Sequence, residues 1–325
     1  MAFLKRAATD RCRIFFASDI HGSERCWRKW LNAAEAYRAD VLIFGGDLTG
    51  KAIVPIVFDG KRATAELHGK TLEGEGDAGL EDLRSRIRGA NHYDAVLSLD
   101  EKREIDENPE RIARDLFPRV VRESVIRWVE LAEQRLARTQ TPAHVILGND
   151  DYPELKELLT GDFINDVEER TVRLPGDFEM VSLGYSNRTP WNSPRELDED
   201  DLGVRIEKVT AELDDPQSSV FNFHCPPQDT HLDKAPMVGD DFRPLVEGGQ
   251  VVIGSVGSSA VRSAIENHQP VLGLHGHVHE SPAVQSLGRT VTINAGSDYG
   301  NGVLRGAIVV LDRRKGVRSW QLVQG

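Results

Sequence analysis

The chain of 325 residues carries 52 acidic and 40 basic side chains, a net charge of −12, with 39% hydrophobic and 28% charged residues. This composition suits a globular core, and the length suits one large domain or one domain with an insertion. The acidic balance argues against an extended grip on duplex nucleic acid, which needs a basic face, but permits a small anionic substrate, because a bound metal reverses the charge locally.

From the N-terminus, MAFLKRAATDRCRIFFASD has no apolar run long enough for a signal peptide or membrane span, and no later segment does either, so a cytoplasmic protein without a membrane partner is expected. Cys12, Cys26 and Cys225 share no repeated spacing, which argues against a disulfide framework or a Cys-rich zinc site and fits a reducing compartment. Apolar runs at 13–17, 41–44, 144–147, 179–183, 220–223, 271–274, 291–294 and 306–311 read as strands buried on both faces. Residues 24–38 read as a helix with Ser23 as N-cap and Trp27, Leu31, Ala34 and Tyr37 in one stripe. A longer helical region covers 108–138, with a break expected at Pro118, and a third covers 197–213. Strands alternating with helices imply an α/β sheet protein whose ligands gather at the carboxyl ends of the strands.

Residues 51–108 interrupt this alternation. They are charged, Gly-rich at LEGEGDAG (72–79), and contain the hairpin IVPIVFDGKRATAEL, turning at Asp59-Gly60. The segment reads as an insertion in a single domain spanning 1–325, either a solvated excursion or a lid over a site.

Polar clusters follow the strands in order: SDIHG with Asp19 and His21, GGDLTG with Asp47, GNDD with Asn149, HCPP with His224, and HGHVHES with His275, His277 and His279. Each alone is an ordinary turn or a packed histidine, although three histidines at alternate positions put several imidazoles on one side of an extended segment. The order D-x-H, G-D, G-N, H, G-H-x-H, with the tail INAGSDYGNG, resembles the calcineurin-like metallophosphoesterase superfamily, and within it a group of microbial predicted phosphoesterases. The resemblance runs from about residue 12 to the end, less the insertion.

It implies a four-layer α/β/β/α sandwich with an inserted charged hairpin and helical segment, and two metal ions between strand ends. Asp19, His21 and His279 would hold one ion, Asn149, His224 and His277 the other, and Asp47 would bridge them. His275 falls outside the family pattern and reads as packing or as support to a ligand. Two cations lower the pKa of a shared water and clamp phosphoryl oxygens as charge shifts. A nitrogen and oxygen ligand set favours Mn, Fe, Co or Zn. The helix starting after His21 reads either as a plain helix start or as added positive potential beside the phosphate.

Many members have G-N-H at the third cluster, where the histidine helps protonate the leaving group. Here Asp150 follows Asn149, so the catalytic set becomes Asp47, Asn149 and Asp150. Asp150 could donate a proton only if its pKa were raised; burial or Asp151 would raise it, and nearby metals would lower it. Slow or selective hydrolysis follows, with diesters or activated leaving groups favoured. His231, in DTHLDKAP, is a second candidate donor, with a surface loop position as the plainer reading. The expected function is a dinuclear phosphoesterase for a small phosphodiester, nucleotide or phosphomonoester. The alternatives are a scaffold that kept the fold without catalysis, and a nuclease, which the acidic balance disfavours. A homo-oligomer is compatible with the sequence.

Overall fold

A computed structural model describes residues 10–239 and 241–325. The first nine residues, on which the expectation of no leader partly rests, lie outside them. Two six-stranded mixed sheets form the frame. The first runs Gly316–Gln324, Arg305–Asp312, Arg11–Ala17, Val41–Phe44, Ala143–Val145, Ile164–Asp166. The second runs Ala283–Leu287, Thr290–Asn294, Leu272–His275, Val220–Phe223, Phe178–Leu183, Thr171–Leu174. In both, the inner strands are parallel and the antiparallel pairings lie toward the edges.

The period of two along each strand generates the layers. On Arg11–Ala17, Cys12, Ile14 and Phe16 face a core between the sheets, while Phe15 and Ala17 face a core beneath helices. Val41 and Ile43 divide from Leu42 and Phe44 in the same way. On the second sheet, Met180, Leu272 and Leu274 enter the central core, and Val181, Leu183, Phe221 and Phe223 pack under the helices Glu199–Thr210 and Ser259–His268. The outcome is the expected α/β/β/α sandwich, its central core sealed on both sides. Among the described residues, no helix is long and apolar enough to cross a membrane.

The first helix is Glu24–Ala36, with the Ser23 hydroxyl accepting from the Cys26 N–H. Trp27, Leu31 and Ala34 are buried, and Tyr37 stacks on Phe15 with ring centroids 5.3 Å apart. The expectation for 108–138 needs correction. A separate helix covers Leu99–Glu107, a π-helical turn covers Ile112–Leu116, and an α-helix runs unbroken over Phe117–Thr139. Pro118 does not break it, because it lies in the first turn, where the missing N–H has no intrahelical partner to lose.

The insertion is a small α/β unit. Ile53–Phe58, Arg62–Leu67 and Lys70–Glu75 form an antiparallel meander, Gly76–Gly89 is a helix, and Tyr93–Leu97 pairs parallel to Ile53–Phe58. Val54, Ile56, Ala63, Ala65, Leu72, Leu83 and Ile87 give it a core of its own. The hairpin turns at Asp59-Gly60 as expected: Gly60 takes φ +91°, and an Asp59 carboxylate oxygen accepts from the N–H groups of Lys61 and Arg62.

Candidate functional site

The carboxyl ends of five strands from both sheets converge, and all seven expected ligand side chains meet there. Oxygen and nitrogen atoms of Asp19, His21 and His279 lie within 4.8 Å of one another, as do those of Asp47, His224 and His277. Asn149 joins the second group, its Oδ1 3.0 Å from His224 Nε2 and 2.8 Å from His277 Nδ1. Asp47 faces both groups, with Oδ2 3.4 Å from His224 Nε2 and 3.7 Å from His21 Nε2. His21 and His279 bring their Nε2 atoms to 3.0 Å.

Short loops aim these groups. Asp19, His21, Asp47 and His277 all have positive φ, a strained conformation for residues with a Cβ. Backbone donors hold the carboxylates: His277 N–H lies 3.0 and 3.1 Å from the two Asp19 oxygens, and Asp150 N–H donates to Asp47 Oδ1 at 3.0 Å. His224 Nδ1 lies 2.8 Å from the Gly45 carbonyl, which fixes Nδ1 as the N–H and turns Nε2 to the cluster. Glycines permit the close approach. A Cβ at Gly148 would lie 2.1 Å from Asp47 Oδ1, and one at Gly276 would lie 2.3 Å from Asp19 Oδ2.

The cluster divides its charges. Burial would push Asp47 up, but the imidazoles of His224, His21 and His277 overcome this and hold it well below the usual carboxylate range. Asp19 is lowered likewise, burial being outweighed by His279 and His224. Burial opposes protonation of His224, yet Asp47 and Asp19 raise it to about 9. Burial, helped by His224, lowers His277 to about 4. The cluster thus holds two ionised carboxylates among imidazoles. A donor set of imidazoles, carboxylates and one amide oxygen, converging from rigid strand ends, fits transition-metal ions.

Several groups that sequence reading missed support the site. Asp151 is not a plain turn residue: it is fully buried and accepts from the N–H groups of Leu48, Thr49 and Gly148 and from the Thr49 hydroxyl, tying the Asp47 loop to the Asn149 loop. Arg195, also buried, donates to the Gly148 carbonyl at 3.1 Å, pairs with buried Glu168, and lies over the Tyr185 ring. Asn294, in the tail cluster, donates to the Val278 carbonyl at 2.8 Å and so steadies the histidine loop. Lys51 follows directly on GGDLTG, and its Nζ lies 2.7 Å from Asp150 Oδ2. Asp150 therefore uses both oxygens as acceptors, one toward Lys51 and the other toward the Ser193 hydroxyl. Its Oδ2 is 3.9 Å from His21 Nδ1.

His275 does not join the cluster. It is buried, with Nδ1 2.8 Å from the Phe223 carbonyl and 3.1 Å from the Cys225 carbonyl, on either side of His224. His231 is exposed and lies outside the lining of the cleft. That cleft, of about 520 Å³, opens beside His21, His279 and Asp150. The insertion contributes Lys51, Ala52, His68 and the 89–92 loop to its lining.

No family model matches the chain. The uncharacterized protein MJ1162 of Methanocaldococcus jannaschii is 27% identical over 149 residues, 45% of this chain and 60% of that protein. The match thus spans less than two thirds of its relative. Among solved structures, TT1561 of Thermus thermophilus aligns with a TM-score of 0.52 at 15% identity, covering 97% of this chain and 98% of that one. This likeness is one of fold. An archaeal phosphodiesterase aligns at a TM-score of 0.37 and 12% identity, over 96% of this chain and 99% of that one, and at that score carries no argument about chemistry.

Proposed function

We propose that this chain, which has the calcineurin-like metallophosphoesterase fold, is a dinuclear metal-dependent hydrolase of small phosphoesters. One observation carries the reading: two triads of ligand atoms, Asp19/His21/His279 and Asp47/His224/His277, lie side by side, and the Asp47 carboxylate of the second also faces His21 of the first. Asp19, His21 and His279 would hold one ion, Asn149, His224 and His277 the other, and Asp47 both. When bound, such a pair supplies an activated water and a Lewis-acid clamp for phosphoryl oxygens, and Mn, Fe, Co and Zn all suit the donors.

The protein's own groups do the rest. His277 and Asp150 N–H groups keep the two carboxylates aimed inward. The Gly45 carbonyl fixes the tautomer of His224. The Lys51 ammonium and the Asp150 carboxylate stand on the cleft side of the cluster, where a leaving group would depart. With no histidine beside Asn149, this pair takes the leaving-group side, and esters with good leaving groups are favoured. The insertion forms a wall over the cleft, which supports the lid reading over that of a solvated excursion. The three free, buried cysteines support a reducing, cytoplasmic setting. The acidic chain makes the nuclease reading the weaker one.

The test is metal analysis of the purified protein, then hydrolysis of bis(4-nitrophenyl) phosphate and 4-nitrophenyl phosphate after Mn or Fe loading. Asp47→Asn should lose both metal and activity. If the wild type takes up no transition metal and hydrolyses neither ester above the Asp47→Asn background, the enzyme reading falls and the scaffold reading replaces it.

A further inference from the structure

The cleft differs in charge from the molecule as a whole. The chain as a whole is at −12, yet Asp150 is the one carboxylate among the described residues that line the cleft, and the Lys51 ammonium covers it at 2.7 Å. Arg25, His68 and His92 also line the cleft. Arg25 comes from the first turn of the helix after His21, and the two histidines come from the insertion.

These three are placed to receive a ligand. Arg25 donates from Nη2 to the Gly89 carbonyl at 3.2 Å, and its other N–H groups have no protein acceptor among the described residues. A guanidinium has five such donors, so Arg25, which lines the cleft, keeps unused donor capacity. His92 Nδ1 lies 2.7 Å from the Ala90 carbonyl, which commits that nitrogen and leaves Nε2 for another partner. His68 packs edge-on against His92, with ring centroids 5.3 Å apart, and makes no hydrogen bond to protein among the described residues.

The position of His68 is itself informative. It is the first of two residues joining the strands Arg62–Leu67 and Lys70–Glu75, followed by Gly69, and both take positive φ, +51° and +72°. Such a turn favours Asn-Gly, because Asn tolerates the left-handed region better than a larger side chain. The turn holds the ring at the lip of the cleft. The wall is also held in place. Asn91 accepts from the Ser23 hydroxyl at 2.6 Å and donates to the Gly300 carbonyl at 3.1 Å, docking the 89–92 loop against the loops that carry His21 and Tyr299.

We infer that Arg25, His68 and His92 form a subsite for a second phosphoryl group, so that the substrates are small bisphosphorylated compounds with one phosphoester at the ligand cluster and the other phosphate against this wall. The inference rests on the phosphoesterase reading. The volume, about 520 Å³, suits a ligand of that size. It assigns the insertion a task that neither a plain lid nor a solvated excursion would have: it reads the far end of the substrate. It also offers a reason for the missing histidine, since binding energy from a remote phosphate can substitute for proton donation in driving the chemical step.

The experiment uses the metal-loaded full chain and two probes that cannot be hydrolysed, propane-1,3-diphosphonate and propylphosphonate, compared by calorimetry. The diphosphonate should bind about tenfold tighter or more, the scale of one or two charge-assisted hydrogen bonds. Arg25→Ala and His68→Asn should each erase most of that preference and leave propylphosphonate binding unchanged. His68→Asn suits the turn better than the native residue, so a folding defect cannot imitate the result. Equal affinity for the two probes in the wild type, or a preference that survives both variants, would overturn the subsite. Hydrolysis of 4-nitrophenyl phosphate by the same preparations separates the two readings. If it persists without a diphosphonate preference, only the subsite fails; if neither metal uptake nor hydrolysis is found, the enzyme reading fails first and the subsite with it.

Discussion

Arg195 and Glu168 form an ion pair at 3% and 4% side-chain exposure, with Glu168 also accepting from the Gly184 N–H at 3.0 Å. Replacing Arg195 with Met leaves the carboxylate in the interior without its partner. Breaking a buried pair from one side costs about 3–5 kcal/mol, mostly because the stranded charge is no longer solvated. The Gly148 carbonyl loses its donor as well. Arg195→Met together with Glu168→Gln strands no charge and keeps an acceptor for Gly184, so the double variant should lose only about 1–2 kcal/mol, the scale of the missing hydrogen bonds. Equilibrium urea unfolding followed by tryptophan fluorescence measures this directly, since Trp27, Trp30 and Trp128 lie in the core beneath the first sheet. A double variant no more stable than Arg195→Met would refute the reasoning. Because Arg195 also grips the Gly148 carbonyl beside Asn149, both variants should lose metal affinity to a similar degree, which a chelator competition would read.

Three other outcomes are expected. His144, on Ala143–Val145, has its Nδ1 buried without a partner, and burial lowers its pKa to about 4. The folded ring resists a proton that the unfolded chain accepts near pH 6.5, so its contribution is complete above that pH and falls away toward pH 4. Between pH 7.5 and 5 this amounts to about 2 kcal/mol. His144→Leu should therefore show a shallower acid-side loss in urea midpoint than the wild type; parallel profiles would contradict this. Gly148→Ala drives a Cβ toward Asp47 Oδ1 and should weaken metal binding about 10- to 100-fold, measured by metal content after dialysis against a weak chelator. Asp150→His should raise phosphomonoester turnover about tenfold or more if the native residue limits leaving-group protonation, and an unchanged rate would assign that step to Lys51.

The convergence of the seven side chains was legible from the family resemblance and from apolar runs that end in Asp, Asn and His. The layers followed from the same runs. What sequence reading missed was of two kinds. The helix Ser259–His268 is only ten residues long, with Val261, Ala264 and Ile265 buried, and the edge strand Gly316–Gln324 buries no residue fully. The supports Asp151, Arg195 and Glu168 act across long separations: Asp151 reaches back to Leu48 and Thr49, and Glu168 reaches forward to Arg195, so no local window pairs them. Pro118 misled for a specific reason, since a proline in the first turn starts a helix as readily as one in the middle breaks it. The insertion was visible as a change in composition, but its place over the cleft depends on tertiary docking through Asn91 and Tyr93.

Asp19, His21, Asp47 and His277 each hold a left-handed backbone that glycine would occupy freely. Each therefore costs about 1 kcal/mol or more relative to glycine. Substitution by glycine at any of the four would relieve that cost and remove a side chain from the cluster. Ten further non-glycine residues among those described share that backbone region, Gln140 and Gln269 at helix ends among them, so these four stand apart in that their side chains meet in one cluster.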